Sequence, residues 1–243
     1  MQYGEVSFRQ VLGSRHGLVA WLLLGLALLI TLVLWQFSVL LVEDRTRARF
    51  ENQSRQLKTA IEERLLNYEQ VLAGAAGLFA VADLVGREGW RTYVKRLDIE
   101  RYYPGIQGIG YTERVADQDV SRHIERVREQ GLPDYLISPA GTRTEYHPVV
   151  YLEPSTRRNR RAYGYDAFGD PAHRDAMERA RDSGMATMTG RVVLVQEVGD
   201  DEQPGFLMYF PVYAGDRVPE YLADRRLALR GYVFSAFRMN NLM

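Results

Sequence analysis

The stretch GLVAWLLLGLALLITLVLWQFSVLLV, Gly17 to Val42, decides how the rest of the chain is read. No charged residue interrupts it, and its only polar members are Thr31, Gln36 and Ser38. A bilayer core is crossed by about 20 apolar helical residues, so this run spans it with room for tilt. A cleavable signal peptide has a shorter core of about 7–15 apolar residues and a small-residue cleavage site. The flank here, Leu41-Val42-Glu43-Asp44-Arg45, offers no such site. Residues 17–42 are therefore expected to be a transmembrane helix, with residues 1–16 a short segment before it. Arg9 and Arg15 lie ahead of the run and Arg45, Arg47 and Arg49 come after it, so flanking charge leaves the orientation open.

Residues 43–243 have the composition of a folded, water-exposed protein. Of 31 Lys plus Arg only Arg9 and Arg15 precede residue 43, and of 31 Asp plus Glu only Glu5 does. The remainder is one charge on the acidic side of neutral and carries no basic stripe, which argues against nucleic acid as a partner. Fourteen of the chain's fifteen tyrosines lie here and argue against a disordered tail. The absence of cysteine removes disulfides and fits either side of a membrane.

From Glu43 to about Ala82 the pattern is helical. Phe50, Leu57, Ile61, Leu65, Tyr68, Leu72 and Phe79 recur at helical spacings and lay an apolar stripe on one face. No proline occurs before Pro104, so nothing breaks the chain between the span and this stalk, residues 43–82. The stripe suits either a seam with a second copy or packing on the chain's own domain. The run Ala73-Gly74-Ala75-Ala76-Gly77 marks a close backbone approach.

Beyond a linker at 83–89 the expected elements are a short helix over 90–97 and a strand over 106–115. A helix over 117–130 comes next, ending at Gly131. Strands are then expected at 135–138 and 146–152, and a helix over 171–183 capped by Asp170, opened by Pro171 and stopped by Gly184. The last strands fall at 186–189, 191–197, 205–213 and 231–237. Glycines 105, 108 and 110 stand in the order G-x-x-G-x-G with no helix opening within it, which points to a strand packed closely against another element, not to a phosphate cradle. The class is α+β with antiparallel sheets.

Catalytic patterns are lacking. His16, His123, His147 and His173 are isolated, no G-x-S-x-G elbow occurs, and Glu62-Glu63 and Asp200-Asp201-Glu202 have no organised partner. No catalytic residue, metal or cofactor is expected, and the chain is not read as an enzyme.

Several phrases taken in order resemble the CHASE sensory domain of receptor kinases and nucleotide cyclases. They are Tyr103-Pro104-Gly105-Ile106-Gln107-Gly108-Ile109-Gly110, then Val150-Tyr151-Leu152-Glu153-Pro154 with Asn159 after it, then Gly164-Tyr165-Asp166. The helix around Arg174–Gly184, Leu194-Val195-Gln196 and Phe210-Pro211-Val212-Tyr213 complete the set. The resemblance covers about residues 70–238. It implies a sensory domain over 83–237 built as two PAS-like subdomains, a homodimer, and the start of a helix at 238–243 leading to a second span. It also implies a cytoplasmic N-terminus, a periplasmic or extracellular sensory domain on the inner (cell) membrane, and a histidine kinase or diguanylate cyclase output. The implied ligand is an unidentified small molecule. Asp166 falls where cytokinin-binding members place an aspartate, with Tyr165, Met188, Thr189, Leu194 and Val198 as the neighbouring pocket wall. Arg157, Arg158, Arg160 and Arg161 could favour an anionic ligand or lipid headgroups, or form a solvated loop. An envelope assembly protein and a membrane-tethered enzyme are the readings from other classes.

Overall fold

A computed structural model of the chain describes residues 15–81, 85–195, 204–215 and 217–238. It divides into two compact units, Met1–Glu63 and Arg64–Met243. Helix α1, Arg15–Val81, is continuous through both, as the proline-free sequence predicts. In the first unit, Leu18–Phe37 is long and apolar enough to cross a membrane, with a mean hydropathy of 2.7 and every side chain exposed. The stripe on α1 then splits. Leu57 and Ile61 are exposed, at 60% and 40%, whereas Tyr68, Leu72, Ala75 and Phe79 are buried in the core of the second unit. Packing on the chain's own domain thus holds for the later turns of the helix, while the earlier turns keep their apolar side chains exposed.

In the second unit α2, Arg87–Leu97, buries Trp90 and Val94, and the single turn α3 covers Ile99–Tyr102. Strand β1, Ile106–Glu113, leads to β2, Val115–Ala116, and to α4, Val120–Glu129, after which Gly131 adopts a φ of 96°. The single strand expected at 146–152 is two: β3, Glu145–Tyr146, and β4, Val149–Glu153. Pro148 has no N–H to donate, so the ladder breaks there and the two pieces pair with β2 and β1 respectively. Residues 135–138 form no strand. One bridge joins Ser138 to Tyr165, and Pro139 stops it going further.

Helix α5, Pro171–Ser183, has the expected ends: the Asp170 carboxylate accepts from the Ala172 N–H and Gly184 turns out at a φ of 77°. Strands β5, Thr187–Met188, and β6, Val192–Val193, flank the long β7, Pro204–Tyr213. The short helix α6, Leu222–Ala228, has no counterpart among the expected elements because it buries no residue, and β8, Leu229–Arg238, closes the described chain.

The fold is α+β with antiparallel pairing, as expected. Its partition differs from two successive subdomains: the described residues hold one six-stranded sheet, ordered β4-β1-β8-β7-β5 with β6 also on β7, and a β2–β3 ribbon. The reason is β1, which pairs with β4 on one edge and β8 on the other, so strands far apart in sequence share one sheet.

Both faces of that sheet are covered. On one, Phe79 of α1 stacks on Tyr111 at 4.1 Å between ring centroids, and Tyr68 packs on Phe237 at 4.9 Å. On the other, Leu152, Leu207, Tyr209, Tyr232 and Phe234 pack against Ala176, Met177 and Ala180 of α5. The glycines of β1 make this second layer possible. A Cβ on Gly110 would lie 2.4 Å from the Phe234 ring and 2.6 Å from the Tyr151 carbonyl oxygen.

Gly110→Ala is accordingly expected to destabilise the chain by about 1–3 kcal/mol, since the Phe234 ring and a sheet carbonyl must both give way. Urea unfolding monitored by near-ultraviolet circular dichroism measures this; a change within about 0.5 kcal/mol would mean that the sheet tolerates a side chain there.

Candidate functional site

Strand alternation places Ile109 and Tyr111 on the face toward α1, and Gly108, Gly110 and Thr112 on the face toward α5. With two glycines beside it, Thr112 stands in a space that its own strand leaves unfilled. A cavity of about 20 Å³ lies there, with Thr112, Tyr165, His173, Leu194 and Tyr209 in its wall. That is room for about one water molecule.

The polar groups around this cavity form two sets. His173 Nδ1 and the Tyr209 hydroxyl are 2.8 Å apart and partner one another, and the Tyr165 ring stands edge-on to His173. Thr112 is wholly buried, and its hydroxyl has no protein hydrogen-bond partner. Nor does the hydroxyl of Tyr232, which faces Thr112 across the β1–β8 ladder. The His147 ring stands 5.3 Å from that of Tyr232, with its Nε2 3.7 Å from the Glu145 carboxylate. Each buried polar group without a partner costs about 1–3 kcal/mol, and such groups are rare in folded proteins, so two facing each other across one ladder are unusual.

Burial controls the electrostatics here. It pushes the His147 imidazole below its ordinary pKa, although Glu145 and Asp166 nearby favour its charged form. Burial lowers His173 in the same way, opposed by Asp170. Both rings are therefore neutral at physiological pH and can donate from one nitrogen while accepting at the other. Burial likewise raises the Tyr209 phenol well above its usual value, keeping it a hydroxyl.

Of the residues picked from the sequence, Tyr165 and Leu194 line this cavity. Asp166 does not, and its role is different. Its carboxylate is wholly buried; Oδ1 accepts from the backbone N–H groups of His147, at 2.8 Å, and Phe168, at 3.2 Å. Oδ2 lies 3.3 Å from Arg143 Nη1, close enough for an ion pair though not aligned as a hydrogen bond. Asp166 thus caps the 3-10 turn Ala167–Gly169 and holds the backbone beside the cavity. Thr189 is buried, but its hydroxyl donates to the Gly190 carbonyl and accepts from the Leu207 N–H, which ties it into the sheet edge. Met188 is partly exposed on that edge, with its carbonyl accepting from Arg179, and it does not reach the cavity wall. Val198 lies outside the described residues.

Arg157, Arg158, Arg160 and Arg161 also stand away from the cavity, on a loop whose inner side is pinned by Asn159. The Asn159 amide donates to the carbonyls of Gln107 and Pro154, while Arg157, Arg160 and Arg161 are exposed and Arg158 is half-buried. Thr112, His173 and Tyr209 are not among the site residues expected from the sequence. A partial signal exists for one of them: His173 shares the buried face of α5 with Ala176, Met177 and Ala180, the i, i+3, i+4, i+7 pattern of a core-facing helix.

No curated protein matches the chain. Among solved structures, the ligand-binding domain of the Pseudomonas aeruginosa PAO1 amino acid chemoreceptor PctC, in complex with GABA, aligns at 13% identity with a TM-score of 0.43. The alignment covers 75% of this chain, which spans 60% of the length of that domain. The CHASE domain profile matches residues 83–243, about two thirds of the sequence, and it includes β1, β4, α5, β7 and β8. The chain belongs to the CHASE-domain family of sensory modules.

Proposed function

We propose that this chain is the extracytoplasmic sensory part of a transmembrane receptor, with residues 17–42 as the membrane span, 43–82 as the stalk and 83–237 as the sensory domain. The N-terminus lies in the cytoplasm, and ligand occupancy passes through α1 and the membrane to a cytoplasmic output domain of the histidine kinase or cyclase kind. The ligand is a small molecule bound on the α5 face of the sheet.

The observation that carries this reading is the buried, unpartnered Thr112 hydroxyl in the wall of a cavity with Tyr165, His173 and Tyr209. These groups offer donors and acceptors on neutral side chains, which suits a polar, uncharged ligand edge. Asp166 acts indirectly, by holding the His147–Phe168 backbone in place. At about 20 Å³ the cavity is too small for a metabolite as it stands, so a ligand must favour an opened arrangement of the α5 side. That differential affinity is what makes occupancy a signal.

Dimerisation draws support from the exposed Leu57 and Ile61, which continue a stripe that is buried two turns later.

Three outcomes are expected. A metabolite screen by thermal shift on the full chain in nanodiscs finds a stabilising ligand. Thr112→Val then weakens that ligand about tenfold while leaving the ligand-free stability unchanged or higher, because a methyl replaces a hydroxyl that has no partner. No ligand in broad screens, together with a stable envelope protein partner on pull-down, would favour an assembly role instead.

Alkaline phosphatase fused after Val42 is active on the far side of the bacterial inner membrane. An inactive fusion joined to a folded reporter would reverse the orientation.

Because the chain has no cysteine, single cysteines report contacts cleanly. Ile61→Cys gives a disulfide-linked dimer on mild oxidation in membranes, and Thr59→Cys, about half a turn away, gives far less; equal yields would remove the seam.

A further inference from the structure

Tyr111 and Thr112 are adjacent in β1 and therefore point to opposite faces of the sheet. Behind Thr112 lies the small neutral cavity on the α5 face. In front of Tyr111, on the α1 face, lies a larger cleft of about 360 Å³. Its apolar side is formed by Phe79 near the end of α1 and by the rings of Tyr111 and Tyr151. Its polar side is formed by Glu113 of β1 and by three arginines from three elements: Arg114 after β1, Arg126 on α4 and Arg230 on β8.

The charges of the cleft do not cancel. Arg126 donates to the Glu113 carboxylate at 2.5 Å, and Arg114 donates to Glu145 at 2.8 Å and to the Arg226 carbonyl. Each of those two guanidinium groups keeps N–H groups beyond the ones so used, because arginine carries five donors. Arg230 has no ion-pair partner among the described residues, although its carbonyl is held by the Tyr111 hydroxyl and the Arg114 N–H. Three guanidinium groups meet two carboxylates, which leaves one positive charge uncompensated. A structural salt-bridge network would end with charges matched, whereas this one ends in an open guanidinium beside aromatic rings.

We infer that this cleft is a second binding site, taking a small organic monocarboxylate whose carboxylate pairs with Arg230 and whose apolar body lies against Phe79, Tyr111 and Tyr151. A doubly charged phosphate would need two uncompensated cations, and a neutral ligand would leave Arg230 unmatched. The site is separate from the α5-face cavity and stands whether or not that cavity binds a ligand. Since Phe79 belongs to the last turns of α1, an anion there fastens the end of that helix to the sheet and gives the module a second chemical input.

Isothermal titration of the full chain in nanodiscs with benzoate tests this, with benzamide as the neutral analogue of the same shape. Benzoate binds measurably at millimolar concentration and benzamide at least about tenfold more weakly. Arg230→Gln, a change at an exposed side chain, weakens benzoate by about tenfold or more, whereas Arg96→Gln, exposed and outside the cleft, leaves it unchanged. The inference falls if benzoate gives no heat, if benzamide binds equally well, or if Arg230→Gln keeps the original affinity.

Discussion

Strand β1 is held on four sides, and the rest of the sensory unit is arranged by what it accepts on each. Along its edges it pairs with β4 and β8, which joins segments more than 120 residues apart in the chain. Above it stand Phe79 and the end of α1; below it lie the Phe234 and Leu152 side chains, admitted because Gly108 and Gly110 have none of their own. A strand buried on both faces cannot keep to the simple alternation of apolar and polar residues. It needs small residues wherever a neighbouring layer comes close, and the β1 sequence IQGIGYTE meets that need on one face only.

That asymmetry has a chemical consequence. On the α1 face β1 presents bulk, Ile109 and Tyr111, so space opens only at the end of the strand, where charged side chains gather. On the α5 face it presents glycine, glycine and threonine, so space opens in the middle of the sheet, where charge is costly and neutral hydroxyl and imidazole groups remain. The two faces therefore differ in the ligands they suit. One is an aromatic-walled, cationic cleft, and the other a small, buried, neutral one. The depressed pKa values of His147 and His173 belong to the same pattern, because desolvation removes charge from the inner face.

Much of this was legible because it is local. The unbroken α1, its apolar stretch Leu18–Phe37 and the Asp170-Pro171 to Gly184 limits of α5 each depend on residues within a few turns of each other, and the helices stand where the sequence places them. The glycine-rich strand was legible too, since Gly weakens a strand interior and stands there chiefly where another element approaches closely. The candidate site was only half legible. Tyr165 and Leu194 line the cavity, but Thr112, His173 and Tyr209 come from elements whose adjacency is set by β1–β8 and β7–β8 pairing, which no local pattern encodes. Asp166 shows the opposite failing: its place in a family phrase suggested ligand contact, while its side chain is spent on two backbone N–H groups beside an arginine. The break at Pro148 could have been read from its missing donor, and α6 could not, since Leu222 and Leu227 are exposed and give the helix no buried face.

The stripe on α1 ties these points to the membrane. From Leu65 onward its residues contribute to the core that holds β1, whereas Ile61 and Leu57 before it are exposed. Apolar side chains that are exposed at the same helical spacing as buried ones are not a relaxed surface, because nothing in solubility favours Leu57 or Ile61 over the Lys58 and Glu62 beside them. The spacing persists past the point where the core needs it, and helix formation alone does not require it, since polar residues build an exposed helix equally well. The proposed seam on those turns accounts for the persistence. One helix thus carries apolar side chains of two kinds in sequence, exposed at Leu57 and Ile61 and packed in the core from Leu65 to Phe79, where Tyr68 meets Phe237 of β8 and Phe79 stacks on Tyr111 of β1.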